Sequence, residues 1–105
     1  IEIFNKVAHK MTDTNIFIGT VASGDQFIFK KTEKERILNT FNALCTEMEG
    51  GSIGHVCYMN GVDFCVIRAI SDTADDNSDN DFNTFAQVAA KTSTDMLIYF
   101  IEHVR

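Results

Sequence analysis

The chain has 105 residues, of which 45% are hydrophobic, and a formal net charge of -6. This length permits one domain with a single modest core, and the negative charge argues against nucleic acid as a partner, because phosphate-tracking proteins need clustered Lys and Arg. The longest apolar run falls well short of a membrane span, and residues 1–11 lack the order of a signal peptide. We therefore expect a cytoplasmic protein that binds neither nucleic acid nor membranes.

The cysteines and histidines give no sign of a metal or redox centre. Cys45, Cys57 and Cys65 are odd in number, lie inside apolar segments and form no CxxC motif, so we expect reduced, buried thiols with a packing role. His55 is expected within a short helix as an ordinary packed or half-exposed side chain. We expect no metal and no cofactor.

In chain order, the first half predicts a strand, a helix and a second strand. The end of a helix is expected within residues 1–11, and residues 16–22 are rich in β-branched and aromatic residues, which is typical of a strand buried on both faces. Thr32 and Glu35 have the spacing of a capping box, which predicts the start of a helix. Residues 43–47 predict the second strand.

The second half continues the alternation. Apolar residues at helical spacing predict a short helix over residues 49–59, and residues 64–70 form an apolar run of strand length. Beyond residue 81, apolar residues recur with helical periodicity and predict a long helix with one face against a sheet. That face comprises Phe82, Phe85, Ala86, Ala89, Met96, Leu97, Phe100, Ile101 and Val104.

Residues 72–81 contain five aspartates and predict a loop. A calcium-binding loop is the alternative, because Asp75, Asn77, Asp79 and Asp81 alternate along this segment. However, Asn80 stands where such a loop needs glycine, and Ala86 stands where it needs a bidentate glutamate. A solvated loop that also caps the following helix is therefore favoured.

The alternation of strands and helices predicts an α/β fold, a three-layer αβα arrangement with a mainly parallel or mixed sheet. Residues 1–105 form one unit, without an internal repeat or a linker. Three strands make a thin sheet, so we expect this arrangement to be incomplete and prone to self-association.

Polar and aromatic residues follow each predicted strand, and the carboxyl ends of parallel strands meet at the edge where open α/β sheets bind ligands. Phe27 offers an aromatic platform there. Glu49 begins a helix, where an ionised carboxylate is favoured and can accept hydrogen bonds from a vicinal diol. Asp72 ends an apolar run, where partial desolvation favours the protonated carboxyl that a proton donor needs.

Local roles are the alternative for both carboxylates. On spacing alone, a charge at a helix N-terminus for Glu49 and a turn cap for Asp72 are favoured. Arg68 is expected to pair with Glu47 as a structural ion pair, or to tune the site. Neither a phosphate-binding glycine loop nor a GxSxG elbow is found in the sequence, so nucleotide phosphates and a catalytic serine are not expected.

At these residues the sequence resembles the 5'-methylthioadenosine/S-adenosylhomocysteine nucleosidases of the purine nucleoside phosphorylase superfamily. The resemblance runs through most of the chain and corresponds to the C-terminal half of those proteins. It rests on Glu47-Met48-Glu49, Arg68-Ala69-Ile70-Ser71-Asp72, the segment from Ser23 to Ile28, and Ala89-Ala90-Lys91 with Phe82 and Phe85.

The resemblance implies hydrolysis of the N-glycosidic bond of both nucleosides with release of adenine, in methionine salvage, by a homodimer without a cofactor. It implies that Asp72 protonates the purine N7, that Phe27 stacks on adenine, and that the backbone of Ile28 contacts the edge of the base. Glu49 would bind the ribose hydroxyls, with Met48 against the sugar.

Phe82 would form part of the apolar wall for the 5'-alkylthio group, and Glu47, Arg68 and Ser71 complete the expected substrate-binding set. Members of this family are longer, and their N-terminal half supplies the water-activating glutamate. The chain is therefore expected to be a fragment of an enzyme or a shortened protein that does not act alone. The alternatives are a purine nucleoside phosphorylase of the same superfamily and a non-catalytic module that binds adenine nucleosides.

Overall fold

The structure, a computed structural model, describes residue 6, residues 15–74 and residues 78–104. These residues form two strands and three helices. Apart from Lys6, which is helical, the helix end predicted within residues 1–11 lies outside the described residues, as do Asp75 and Asn77 of the predicted loop. The elements are β1 (Val21–Ser23), α1 (Lys31–Phe41), β2 (Cys45–Glu47), α2 (Gly50–Met59) and α3 (Ser78–His103).

The two strands run parallel, with Val21 opposite Cys45 and Ser23 opposite Glu47. The backbone N–H of Gly24 extends the ladder by donating to the carbonyl of Glu47 at 3.1 Å. Helix α1 connects the strands, as a parallel pair requires. The carboxyl ends of both strands therefore lie side by side, and the segments that follow them start from the same edge.

The strands are shorter than the sequence predicted. Residues 16–22 and 43–47 were expected to be strands, but strand structure is confined to Val21–Ser23, which reaches one residue past the first prediction, and to Cys45–Glu47. Residues 64–70 were expected as a third strand, yet within the described ranges they form none. Apolar composition predicts burial, whereas a strand also needs a hydrogen-bonded neighbour in register.

The helix starts correct two further predictions. Helix α1 begins at Lys31, so Thr32 lies inside the first turn, and Lys30 at the N-cap makes no side-chain hydrogen bond to the described part of the helix. The predicted capping box is therefore wrong. Helix α2 matches its prediction within one residue, with Glu49 as the N-cap. Helix α3 begins at Ser78, so the last four residues of the predicted loop, residues 78–81, are helical.

Apolar side chains remain widely exposed on this small scaffold. Among the described hydrophobic residues, Met96 of α3 is the one that is buried, at 7% exposure. Other members of the predicted apolar face of α3, such as Phe85 and Leu97, are about half exposed. The three cysteines, all within the described part, are free thiols as expected, but Cys45 and Cys57 are only half-buried and Cys65 is exposed.

The predicted fold class is confirmed: the described residues form part of an αβα arrangement with a small parallel sheet. Helix α2 is the element that most directly shapes the sheet edge, because it starts three residues after the end of β2. Its first residue, Gly50, and its fifth, Gly54, are buried. The ring of Phe64 lies against Gly54, which places Phe64 beside this helix.

Candidate active site

A small cavity of about 60 Å³ lies where the two parallel strands end. Residues from three parts of the chain line it: the segment after β1, the end of β2, and the segment that follows residue 70. The lining residues are Gln26, Phe27, Ile28, Thr46, Glu47, Met48 and Asp72. A phenylalanine, a methionine and two acidic residues, Glu47 and Asp72, therefore surround one space at the sheet edge.

Two phenylalanines meet at this cavity. The ring centroids of Phe27 and Phe82 are 6.0 Å apart, with an interplanar angle of 74°, which is an edge-to-face contact. Phe27 is 37% exposed, so its ring still presents surface to a ligand. The contact brings the beginning of α3 to the cavity that the strand ends form.

Asp72 is held by its own turn and also lines the cavity. Its Oδ1 accepts a hydrogen bond from the N–H of Ala74 at 2.8 Å, and its Oδ2 accepts one from the Ser71 hydroxyl at 3.0 Å. This is an Asx turn, and Ala74 has a φ of 53°. The ammonium of Lys34 donates to the carbonyl of Thr73 at 2.7 Å and ties the turn to α1.

The predicted ion pair between Arg68 and Glu47 is present, and it includes Glu49. The Nη2 group of Arg68 donates both to Oε2 of Glu47 and, at 2.6 Å, to Oε2 of Glu49. The Glu47 side chain is 7% exposed, whereas that of Glu49 is 63% exposed. One guanidinium therefore bridges a buried carboxylate and an exposed one.

Glu47 also receives the first N–H groups of α2. The N–H of Glu49 donates to its Oε2 at 3.0 Å and that of Gly50 at 2.6 Å. Free N–H groups at a helix start carry partial positive charge, so an anion is stabilised there. A second link runs to β1, since the N–H of Gly51 donates to the Ser23 hydroxyl oxygen at 2.8 Å.

This environment keeps Glu47 ionised. Burial acts to raise the pKa of the Glu47 carboxyl, but the hydrogen bonds outweigh burial and lower the pKa from its ordinary 4.5 to about 2. The Ser23 hydroxyl close to the carboxylate lowers the pKa most, followed by the N–H groups of Gly50 and Glu49 and by the Arg68 guanidinium. Burial lowers the pKa of Arg68, yet its bonds to the two glutamates have the greater effect and raise it.

Gly50 allows the Glu47 carboxylate to lie this close to the helix. A Cβ atom on residue 50 would be 2.8 Å from Oε1 and 3.1 Å from Cδ of Glu47. Oε1 itself is buried and has no hydrogen-bond partner of good geometry among the described residues. A larger cavity of about 340 Å³, lined in part by Ser23, Glu47, Gly50 and His55, adjoins the same carboxylate.

The structure brings most of the predicted site residues together. Phe27, Ile28, Glu47, Met48 and Asp72 line the small cavity, Phe82 contacts Phe27, and Ser71 binds Asp72. Glu49 and Arg68 do not line this cavity in the described part of the chain. They form an ion pair with each other beside it.

Sequence reasoning did not find Gln26 and Thr46. Gln26 lies within the segment that the sequence had singled out, so its position beside Phe27 was the available signal. Thr46 carries no such signal, because it is an ordinary β-branched residue of a strand. No cluster of metal-ligating side chains occurs within the described ranges.

Known proteins are similar to this chain in sequence and in fold. Residues 1–102 match the phosphorylase superfamily. The chain belongs to the phosphorylase superfamily. The aminodeoxyfutalosine nucleosidase of Helicobacter pylori strain ATCC 700392 / 26695 is 41% identical over 86 residues, 82% of this chain and 37% of the relative. A 5'-methylthioadenosine/S-adenosylhomocysteine nucleosidase of Tolumonas auensis is 34% identical over 105 residues, 99% of this chain and 46% of the relative.

Solved structures of this superfamily are similar to the chain along almost its whole length. The S-adenosylhomocysteine nucleosidase of Streptococcus pyogenes in complex with 5-methylthiotubericidin gives a TM-score of 0.92 at 34% identity, covering 99% of this chain and 44% of that one. The futalosine hydrolase of Helicobacter pylori strain 26695 gives 0.91 at 37% identity, covering 96% and 43%. The recognised family is thus confirmed, and these relatives are nucleosidases.

The chain spans less than half the length of the relatives it matches. None of the helices in the described part of the chain is long and apolar enough to cross a membrane. The expected cytoplasmic location stays a prediction.

The lowered pKa of Glu47 predicts a specific loss of stability in acid. Because the folded-state pKa of about 2 lies below the ordinary 4.5, the stabilisation is fully present above pH 4.5 and is lost as the pH falls towards 2. We expect this group to contribute about 3 kcal/mol to the free energy of unfolding over that window. Urea unfolding of wild type and Glu47→Gln across this pH range measures the contribution.

The difference in acid stability between wild type and Glu47→Gln separates the contribution of Glu47 from that of the other carboxylates. We expect the variant to lose less stability in acid than the wild type. Glu35→Gln is the matched control, since the Glu35 side chain is 55% exposed and pairs with Lys31 on α1. Equal acid dependence of wild type and Glu47→Gln would contradict the assigned hydrogen bonds.

Proposed function

We propose that this chain forms the purine-binding and proton-donating side of a nucleosidase site, which hydrolyses the N-glycosidic bond of 5'-methylthioadenosine and S-adenosylhomocysteine and releases adenine, in methionine salvage. The observation that carries the proposal is the cavity at the ends of β1 and β2, where Phe27, Met48 and Asp72 face the same space. Relatives named for this activity support it.

In this proposal the base lies between Phe27 and Asp72. The Phe27 ring stacks on adenine, and the backbone of Ile28 contacts the edge of the base. Asp72, in its protonated form, donates a proton to the purine N7 while the bond between C1' and N9 breaks and its electron pair passes to the base. Adenine then leaves as a neutral molecule, water adds to C1' and releases one proton to solvent, and Asp72 takes up a proton again before the next turnover.

The sugar side of the proposed site begins at Glu49. Its carboxylate accepts hydrogen bonds from the 2'- and 3'-hydroxyls, Met48 packs against the ribose, and Phe82 forms part of the wall for the 5'-alkylthio group. The bond-breaking transition state carries positive charge on the sugar, so nearby carboxylates stabilise it. Glu47, Glu49 and Arg68 together carry a net charge of about -1, which has the required sign.

A second candidate substrate is aminodeoxyfutalosine. The Helicobacter pylori relative that is named for this nucleoside is 41% identical over 86 residues, so it belongs in every substrate panel. A phosphorylase of the same superfamily needs a cation for phosphate. Near this cavity, two cations lie in the described part of the chain: Arg68, which two carboxylates already engage, and Lys34, which donates to the carbonyl of Thr73.

Replacing Asp72 tests the proposed proton donor. We expect Asp72→Asn in the full-length protein to lower the rate of adenine release by about 10²–10⁴-fold, because asparagine keeps the shape of the side chain but has no acidic proton to donate. Adenine release is followed with 5'-methylthioadenosine, S-adenosylhomocysteine and aminodeoxyfutalosine. Asp63→Asn, at an exposed position, is the control and should keep wild-type turnover.

The same assay separates the competing reactions. Normal turnover in Asp72→Asn would defeat the role of Asp72, and a rate that depends on phosphate would favour the phosphorylase. If the wild type binds nucleosides and releases no adenine, a non-catalytic binding module is the better interpretation.

Phe27 tests the position of the base. Stacking of a base on an aromatic ring contributes about 1–3 kcal/mol, so we expect Phe27→Ala to weaken adenine binding by roughly tenfold or more. Isothermal calorimetry with adenine measures this on the chain. Phe17→Ala removes a ring that is 79% exposed and should leave the affinity unchanged. Equal adenine affinities of Phe27→Ala and the wild type would contradict the proposal that the base binds in this cavity.

We also propose a homodimer, because α2 exposes a row of apolar side chains. Ile53, Val56 and Met59 recur at helical spacing and are 58%, 63% and 72% exposed, and such patches mark interaction surfaces. We expect association at micromolar concentration, weakened at least tenfold by Val56→Glu but not by Asn39→Glu on α1. Sedimentation velocity measures it, and a wild type that stays monomeric would contradict the proposal.

A further inference from the structure

Glu47 lines the small cavity, which is compatible with two roles. It either binds the substrate directly or positions a residue that binds the substrate. Its Oε2 atom already accepts hydrogen bonds from three donors, the N–H groups of Glu49 and Gly50 and the Arg68 guanidinium. Its other oxygen, Oε1, is buried from solvent. Oε2 therefore has no further capacity, and Oε1, which has no hydrogen-bond partner of good geometry among the described residues, is closed to a sugar hydroxyl unless neighbouring groups move.

We infer that Glu47 is a positioning residue, which holds the Glu49 carboxylate in place for the ribose through Arg68 and through the start of α2. This inference rests on the proposed function, since it assigns the sugar to Glu49. It changes the predicted role of Glu47 from a substrate ligand to a support for one.

The first connection runs through the backbone. The N–H of Glu49 lies 3.0 Å and that of Gly50 lies 2.6 Å from Oε2 of Glu47. Residue 49 therefore cannot shift along the helix axis without breaking a hydrogen bond to a charged acceptor, and such bonds are among the stronger ones in proteins. The origin of the Glu49 side chain is fixed in this way.

The second connection runs through the side chains. Nη2 of Arg68 bonds Oε2 of Glu47 and, at 2.6 Å, Oε2 of Glu49. A glutamate side chain that is 63% exposed otherwise has considerable rotamer freedom, and holding it costs entropy when the substrate binds. A guanidinium anchored on a buried carboxylate restricts that freedom beforehand, which is the effect of preorganisation.

Charge adds a further reason for a buried anion at residue 47. Without the Glu47 carboxylate, Arg68 would pair with Glu49 alone among the described carboxylates. The net charge of that pair would be close to zero. With Glu47 ionised, Arg68 is shared and Glu49 retains negative charge for the sugar. Glu47 thus supports both the position and the charge of Glu49.

A double-mutant cycle in the full-length protein tests this coupling. Glu47→Gln, Glu49→Gln and the double variant are compared with the wild type by kcat/KM for 5'-methylthioadenosine and by affinity for free adenine, which has no ribose. We expect each single change to lower kcat/KM by about tenfold or more, and the double variant to be no worse than Glu49→Gln within about threefold. Adenine affinity should stay within about twofold in all of them.

A residue with a merely structural role would weaken adenine binding together with turnover, and a substrate ligand independent of Glu49 would give losses that multiply. Either result overturns the inference. Glu35→Gln, an exposed glutamate on α1, is the matched control. If Glu47→Gln does not fold, Arg68→Lys gives the same cycle, because lysine keeps the charge but lacks the planar fork.

Wild-type turnover is the separate measure of the proposed function. If the wild type binds nucleosides without hydrolysing them, the proposed hydrolytic function is wrong. The double-mutant cycle is then measured as nucleoside affinity by calorimetry, and the double variant should again be no worse than Glu49→Gln. If the wild type binds no nucleoside, the proposed function and this inference both fall.

Discussion

The carboxylate of Glu47 is the group on which the rest of this site depends. A buried charge is costly unless hydrogen bonds and an opposite charge compensate it. Here the compensation comes from the start of α2 and from Arg68, with the Ser23 hydroxyl close by. A single ionised side chain at the end of β2 thereby connects the helix start, the neighbouring strand and the segment leading to Asp72.

Asp72 shows that a local structural role and a place in the cavity are compatible. Its oxygens accept bonds from Ser71 and Ala74, within its own turn, and the residue still lines the cavity with Phe27. The turn fixes the position of the carboxyl group relative to the strand ends. A short loop can therefore place a functional group accurately, provided that its own side chain closes the loop.

Some features could be predicted from the sequence because they depend on local chemistry. The pairing of Arg68 with Glu47 and the helix after Glu49 are of this kind, and both are present. The third strand was not predictable in the same way, because an apolar run carries no information about a hydrogen-bonded neighbour. The capping box failed for a similar reason, since its spacing fits Thr32 while the helix begins one residue earlier.

The family motif singled out residues, but it did not show which of their side chains are buried and which are exposed. Glu47 and Glu49 are two positions apart in one motif, yet their side chains differ in exposure from 7% to 63%. That difference arises from the direction in which each side chain leaves the backbone at the junction of β2 and α2. The difference in exposure depends on how the strand end, the helix start and Arg68 are placed together in three dimensions, so the order of residues in the motif does not give it.

Gly50 makes this site sensitive to a very small change. A single methyl group on residue 50 would come within 2.8 Å of Oε1 of Glu47, and the carboxylate has little room to retreat because three donors hold its other oxygen. Adding one carbon there would thus displace the Glu47 carboxylate and, through Arg68, loosen the hold on the Glu49 carboxylate. Gly50→Ala is therefore a one-carbon change that disturbs the whole ion-pair arrangement from the helix side.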